Sequence, residues 1–155
     1  MRTTPILAAA LLLAAALVGC LEPSPSSPPT GPIAFETVEK GQGSGVEDRQ
    51  VLEIRNDTAV FDLWVRHDPA TNDHPDPPAV DFSEKTVLAV FEGHDASTCR
   101  SAEVTNVTGL DNGTIQAEWN LTPVAEEACE GENGSAFHMV AIDRYDAEIS
   151  FVLED

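Results

Sequence analysis

Thirteen apolar residues, Ile6 to Val18, run without a break into Gly19 and Cys20, and the next twelve, LEPSPSSPPTGP (21–32), include five prolines. Neither stretch can build a globular core. The first is the length of a secretory h-region, roughly 7–15 residues, and falls short of the ~20 that a spanning helix needs. The second reads as an extended, semi-rigid spacer of roughly 35–40 Å at about 3.1 Å per residue. Folding is thereby confined to residues 33–155, enough chain for one core. No internal repeat and no second linker interrupt that span.

Cys20 follows a weakly positive start (Arg2), the apolar run and a small residue. This resembles the lipobox of prokaryotic lipoproteins, in which the thiol is acylated and becomes the first residue of the mature chain. Residues 1–19 are then a signal peptide and 20–32 a lipidated tether; an ordinary signal peptide with an incidental cysteine is the alternative. The chain has three cysteines, an odd number for an exported protein. A lipid on Cys20 leaves Cys99 and Cys129 as an even pair in an oxidising compartment. A reactive thiol is the other use of such a residue, but Cys129 sits in EEACE, whose acidic neighbours would raise its pKa.

Five of the six asparagines open an N-x-S/T sequon: Asn56, Asn106, Asn112, Asn120 and Asn133. Sequons mark exported surface loops, although Asn and Thr are also common in turns. A lipobox together with sequons predicts an archaeal-like cell-surface protein, lipid-anchored to the outer face of the cytoplasmic membrane. Without the leader the chain keeps 7 basic and 27 acidic residues, a net charge of −20. Nucleic-acid binding and a polybasic grip on anionic lipid both need clustered Lys and Arg, so both are excluded. The acidity itself resembles a salt-adapted surface.

The domain reads as α+β, mainly antiparallel β. Seven strands are expected, at 33–38, 50–55, 86–91, 102–107, 114–121, 136–142 and 147–153, forming a sheet with one helix against it. The run TVLAVF (86–91) is apolar almost throughout, as a buried central strand would be. Asn112-Gly113 signals a hairpin, and a second hairpin is expected around DRYD (143–146). The glycine-rich GQGSG (41–45) separates the first two strands. In DTAVFDLWVRH (57–67) Thr58, Asp62 and Arg66 recur every four residues, a helical face. Asn56 or Asp57 caps that helix, Asp62 and Arg66 pair along it, and Val60, Phe61, Trp64 and Val65 pack on the sheet.

The stretch PAVDFSEKTVLAVFEG (78–93) resembles the central motif of the PrcB-type family, named for a lipoprotein subunit of a cell-surface protease complex. SGV (44–46), the helix ending in Leu63-Trp64 and AFHMVAID (136–143) fall in the family's order, so the resemblance covers most of residues 33–155. It departs after Gly93, where HDASTC replaces the usual glycine-rich turn. The resemblance implies an extracytoplasmic accessory or binding domain with a protein partner, a surface protease among the candidates, and supplies no catalytic residues.

The best cluster of polar ligands is RHDPATNDHPDPP (66–78), with His67, Asp68, Asp73, His74 and Asp76. Its spacing matches neither an EF-hand nor a zinc template, and its prolines account for a loop; Asp73, His74 and Asp76 are weak metal candidates only. His94-Asp95 lacks a nucleophile or metal partner. His138 lies in an apolar strand and is expected to be packed or hydrogen-bonded there. No phosphate loop, G-x-S-x-G or H-E-x-x-H is present. The sequence predicts a protein that is not an enzyme and uses no cofactor: a tethered binding or accessory domain, with an ion- or small-ligand-binding lipoprotein as the alternative.

Overall fold

A computed structural model of the chain describes residues 26–68, 76–94, 99–125, 127, 129 and 135–154. Its described elements are eight strands and one helix: β1 (Gly31–Pro32), β2 (Glu36–Ser44), β3 (Gln50–Ile54), α1 (Asp57–His67), β4 (Lys85–Phe91), β5 (Arg100–Gly109), β6 (Ile115–Pro123), β7 (Ser135–Asp143) and β8 (Ile149–Leu153). The fold is mostly β, as expected, but the strands form two four-stranded sheets, β1-β5-β6-β8 and β2-β7-β4-β3.

Three layers result: sheet, sheet, helix. β4 and β7 lie at the centre of the second sheet and are buried on both faces, which is why their sequences are apolar at nearly every position. Leu88, Val90, Val140 and Ile142 face the first sheet and meet Val104, Val107, Ile115, Ala117 and Trp119. The alternate residues, Val87, Ala89, Phe91, Phe137, Met139 and Ala141, face the helix and meet Val60, Leu63 and Trp64. Each large apolar side chain buried in this way contributes about 1.5–3 kcal/mol.

The expected hairpin around DRYD does not form. β7 already has β2 on one edge and β4 on the other, so no edge is left for β8. The chain crosses to the other sheet and β8 pairs with β6 in parallel, Ile115 opposite Ile149 and Trp119 opposite Leu153. Arg55 fixes the crossing by donating to the carbonyls of Tyr145 and Ala147 at 2.9 and 3.1 Å. The hairpin at Asn112-Gly113 does form, joining β5 to β6.

GQGSG is not a loop either, because β2 continues through it to Ser44 along β7. Gly41 is packed closely there: a Cβ would lie 3.0 Å from the Phe137 ring, which would have to shift by a few tenths of an ångström.

Strand pairing begins before the boundary that composition suggested. Ser26 bridges to Tyr145, and Gly31 and Pro32 pair with Gly109 and Thr108. Residues 26–32 thus lie along the domain as a strap. Pro29 passes so close to Gly109 that a Cβ on that glycine would stand 1.9 Å from the Pro29 carbonyl oxygen.

The helix spans the residues its periodicity predicted, with Asn56 as its N-cap: Asn56 Oδ1 accepts from the amide of Ala59 at 2.9 Å. Its buried face differs from the expected one. Val60, Leu63, Trp64 and His67 are buried, whereas Phe61 and Val65 are 55% and 39% exposed. At 100° per residue, positions 60, 63, 64 and 67 share one stripe, and 61 and 65 lie beside it. Arg66 also departs from expectation, donating to the backbone carbonyl of Asp62 rather than pairing with its carboxylate.

Candidate functional site

Cys99 and Cys129 are joined, with an S–S distance of 2.11 Å and their Cα atoms 5.7 Å apart. Cys20, Asp73, His74, Asp95 and Asn133 lie outside the described residues. His67 is no loop ligand, because it is the last residue of α1 and its ring points into the helix–sheet layer. Asp76 and His94 are exposed on the surface. Among the described residues, no group of three His, Cys, Asp or Glu could hold a metal ion.

Two buried histidines stitch the layers together. His138, 3% exposed, accepts from the Val104 amide through Nδ1 at 2.9 Å and meets Thr37 Oγ1 through Nε2 at 2.9 Å. Since Nδ1 accepts, the hydrogen is assigned to Nε2 and the ring is neutral. It fills the place where the β5–β6 ladder shifts register between Val104 and Asn106. Burial, then the nearby Lys40 charge, push its pKa down to about 4, against the pull of Glu103.

His67 faces Ser44 Oγ at 2.9 Å through Nδ1 and Glu39 Oε2 at 3.6 Å through Nε2. Burial lowers its pKa despite the Asp68 charge, and burial also raises that of Glu39. Serine, histidine and carboxylate in a row have the composition of an acyl-transfer triad, but not its access. Ser44 is 0% exposed, its Oγ accepts from the Val46 amide at 3.2 Å, and the imidazole is held edge-on to Phe137 at 4.3 Å. No substrate carbonyl could reach that hydroxyl, so the row is a structural brace.

A groove of about 820 Å³ lies between α1 and the segment leading into β4. Val60, Phe61, Pro77, Pro78, Ala79 and Val80 make it apolar; among the described residues Asp57 and Asp81 are its charged lining residues. Asp81 is held below the usual carboxylate range because its Oδ1 accepts from both the hydroxyl and the amide of Ser83. The groove therefore offers an aromatic ring, two prolines and two anionic groups. Sequence reading missed it because it assigned Phe61 to the core. The signal was present in the helical angle between Phe61 and the Val60–Leu63–Trp64 stripe.

Comparison of the chain with protein-family models, with curated proteins and with solved structures found no match.

Proposed function

We propose that the protein is a membrane-tethered extracytoplasmic lipoprotein acting as a non-catalytic binding or accessory domain. The observation that carries this reading is the groove beside Phe61, a half-exposed aromatic in an apolar cleft with two carboxylates. Exposed apolar surface of this kind is where proteins dock partners. The lining chemistry suits a protein segment with an apolar side chain beside Lys or Arg, the cation meeting Asp57 or Asp81. The resemblance to the PrcB-type family supports a surface protease as the partner, which the domain would stabilise or regulate.

The strap refines the placement of such a domain. If Cys20 carries the lipid, only residues 21–25 separate it from Ser26. That is a reach of about 16 Å at about 3.1 Å per residue, so the partner must also stand close to the membrane.

Cross-linking on intact cells, followed by recovery of the lipidated protein, tests the reading. The expected result is a reproducible protein partner with the wild type and its loss with Phe61→Asp, a change at an exposed position with little effect on folding. Failure to recover any reproducible partner with the wild type would contradict it.

A further inference from the structure

Four of the five sequons lie within the described residues, and the structure gives their side chains different occupations. Asn112, at the exposed tip of the β5–β6 hairpin, receives two hydrogen bonds on Oδ1. One comes from the Thr114 amide at 3.1 Å and the other from the Thr114 hydroxyl at 2.7 Å. Its Nδ2 has no partner among the described residues. In Asn106, midway along β5, the roles are reversed. Nδ2 donates to both Thr108 Oγ1 and Glu118 Oε2 at 3.0 Å, so both of its hydrogens are in use. Asn56 Nδ2 has no partner among the described residues, but its Oδ1 is spent on the helix cap and makes no bond to the Thr58 hydroxyl. Asn120 lies in β6 with its Oδ1 buried.

We infer that Asn112 is a glycan-bearing residue of this protein and that Asn106, although it carries the same motif, is not. The assignment rests on the chain being exported. A carboxamide nitrogen is a poor nucleophile because its lone pair is delocalised onto the oxygen. Two donors on Oδ1 stabilise the negative charge that builds there as Nδ2 gives up a proton. In the transfer, Nδ2 of Asn112 attacks the anomeric carbon of a lipid-phosphate-linked oligosaccharide. The new C–N bond replaces the C–O bond to phosphate, the lipid phosphate leaves with the electron pair, and the Nδ2 proton passes to a base of the transferase. The hairpin tip leaves room for the sugar. At Asn106 a glycan would take the place of one hydrogen and break one of the two bonds that tie this side chain into the outer face of the sheet.

The test uses the full chain in a host that N-glycosylates its exported proteins, with surface biotinylation and site occupancy read by peptide mass spectrometry. The wild type should carry a glycan at Asn112 and none at Asn106. Asn112→Gln should then remove one glycan mass from the intact protein, and Asn106→Gln none. A biotinylated chain that is bare at Asn112, or occupied at Asn106, overturns the assignment. A chain that is never biotinylated overturns instead the export reading beneath it.

Discussion

On β4, Leu88 and Val90 face the other sheet while Val87, Ala89 and Phe91 face α1. On the first side the layer, which includes the Trp119 ring, is closed by a whole sheet, whose outer surface carries a bonded polar row. Asn106 and Gln116 both donate to Glu118 there, and Val152 and Leu153 add exposed apolar surface at the β8 edge. On the second side a single helix covers a layer rich in rings, Trp64, Phe82, Phe91 and Phe137. The helix-facing residues of β4 and β7 are buried as well, Ala141 being the most exposed at 7%, and the open apolar surface is on the helix itself, where Phe61 stands beside the groove. One side is closed by four paired strands; on the other, a helix presents Phe61 and an apolar groove to solvent.

The largest expected effects probe the two sides from one strand. Phe91→Ala, toward the helix, should cost about 3–5 kcal/mol, and Leu88→Ala, toward the other sheet, about 2–5 kcal/mol, read by denaturant melts. If the helix layer is the looser of the two, Phe91→Ala will fall at the low end of its range. Reducing the Cys99–Cys129 bridge removes a cross-link between residues 30 apart, which closes a span that contains β5 and β6. The loop-entropy relation gives a loss of roughly 3.6 kcal/mol, and the sheet–sheet side should respond first in hydrogen exchange.

The sealing of the sheet–sheet layer by neutral His138 has a pH signature. Its folded pKa of about 4 lies below the ordinary 6.5. The stabilisation is therefore complete above pH 6.5 and is lost as pH falls from 6.5 toward 4. About 1.4 kcal/mol per pH unit over that window sums to about 3 kcal/mol. Thermal melts should show this slope in the wild type and lack it in His138→Gln, which keeps one donor and one acceptor without titrating. His67, also lowered, acts in the same direction from the helix side.

A smaller effect is expected at the strap. Gly109→Ala places a Cβ against Pro29, so residues 26–32 must lift from the sheet. The cost should be roughly 1–3 kcal/mol, and limited proteolysis should cut within the strap while β5 and β6 stay protected.

Much of this fold is legible in the sequence, and the failures share a cause. Thr58, Asp62 and Arg66 reveal α1 because polar spacing is a local property of a helix. TVLAVF reveals β4 because burial on both faces erases alternation. Polarity ranks Phe61 and Val65 above His67 for burial, and only the 100° spacing separates them from the Val60–Leu63–Trp64–His67 stripe. The pairing of β8 depends on whether the edges of β7 are taken, which nothing near DRYD encodes. Gly41 looks like a turn residue until Phe137 is seen above it. The same limit hid the groove, which draws on Val60 and Pro78 from separate segments, whereas the Cys99–Cys129 pair followed from counting.

The most direct test of the proposal that the Phe61 face of the helix docks a partner is site-specific photo-cross-linking in the native membrane. A photo-activatable residue would be placed at position 61 in one protein and at position 116, on the outer face of the opposite sheet, in another. A discrete protein adduct from position 61 and none from position 116 is the predicted result. An adduct from position 116 alone, or equal adducts from both, would contradict it.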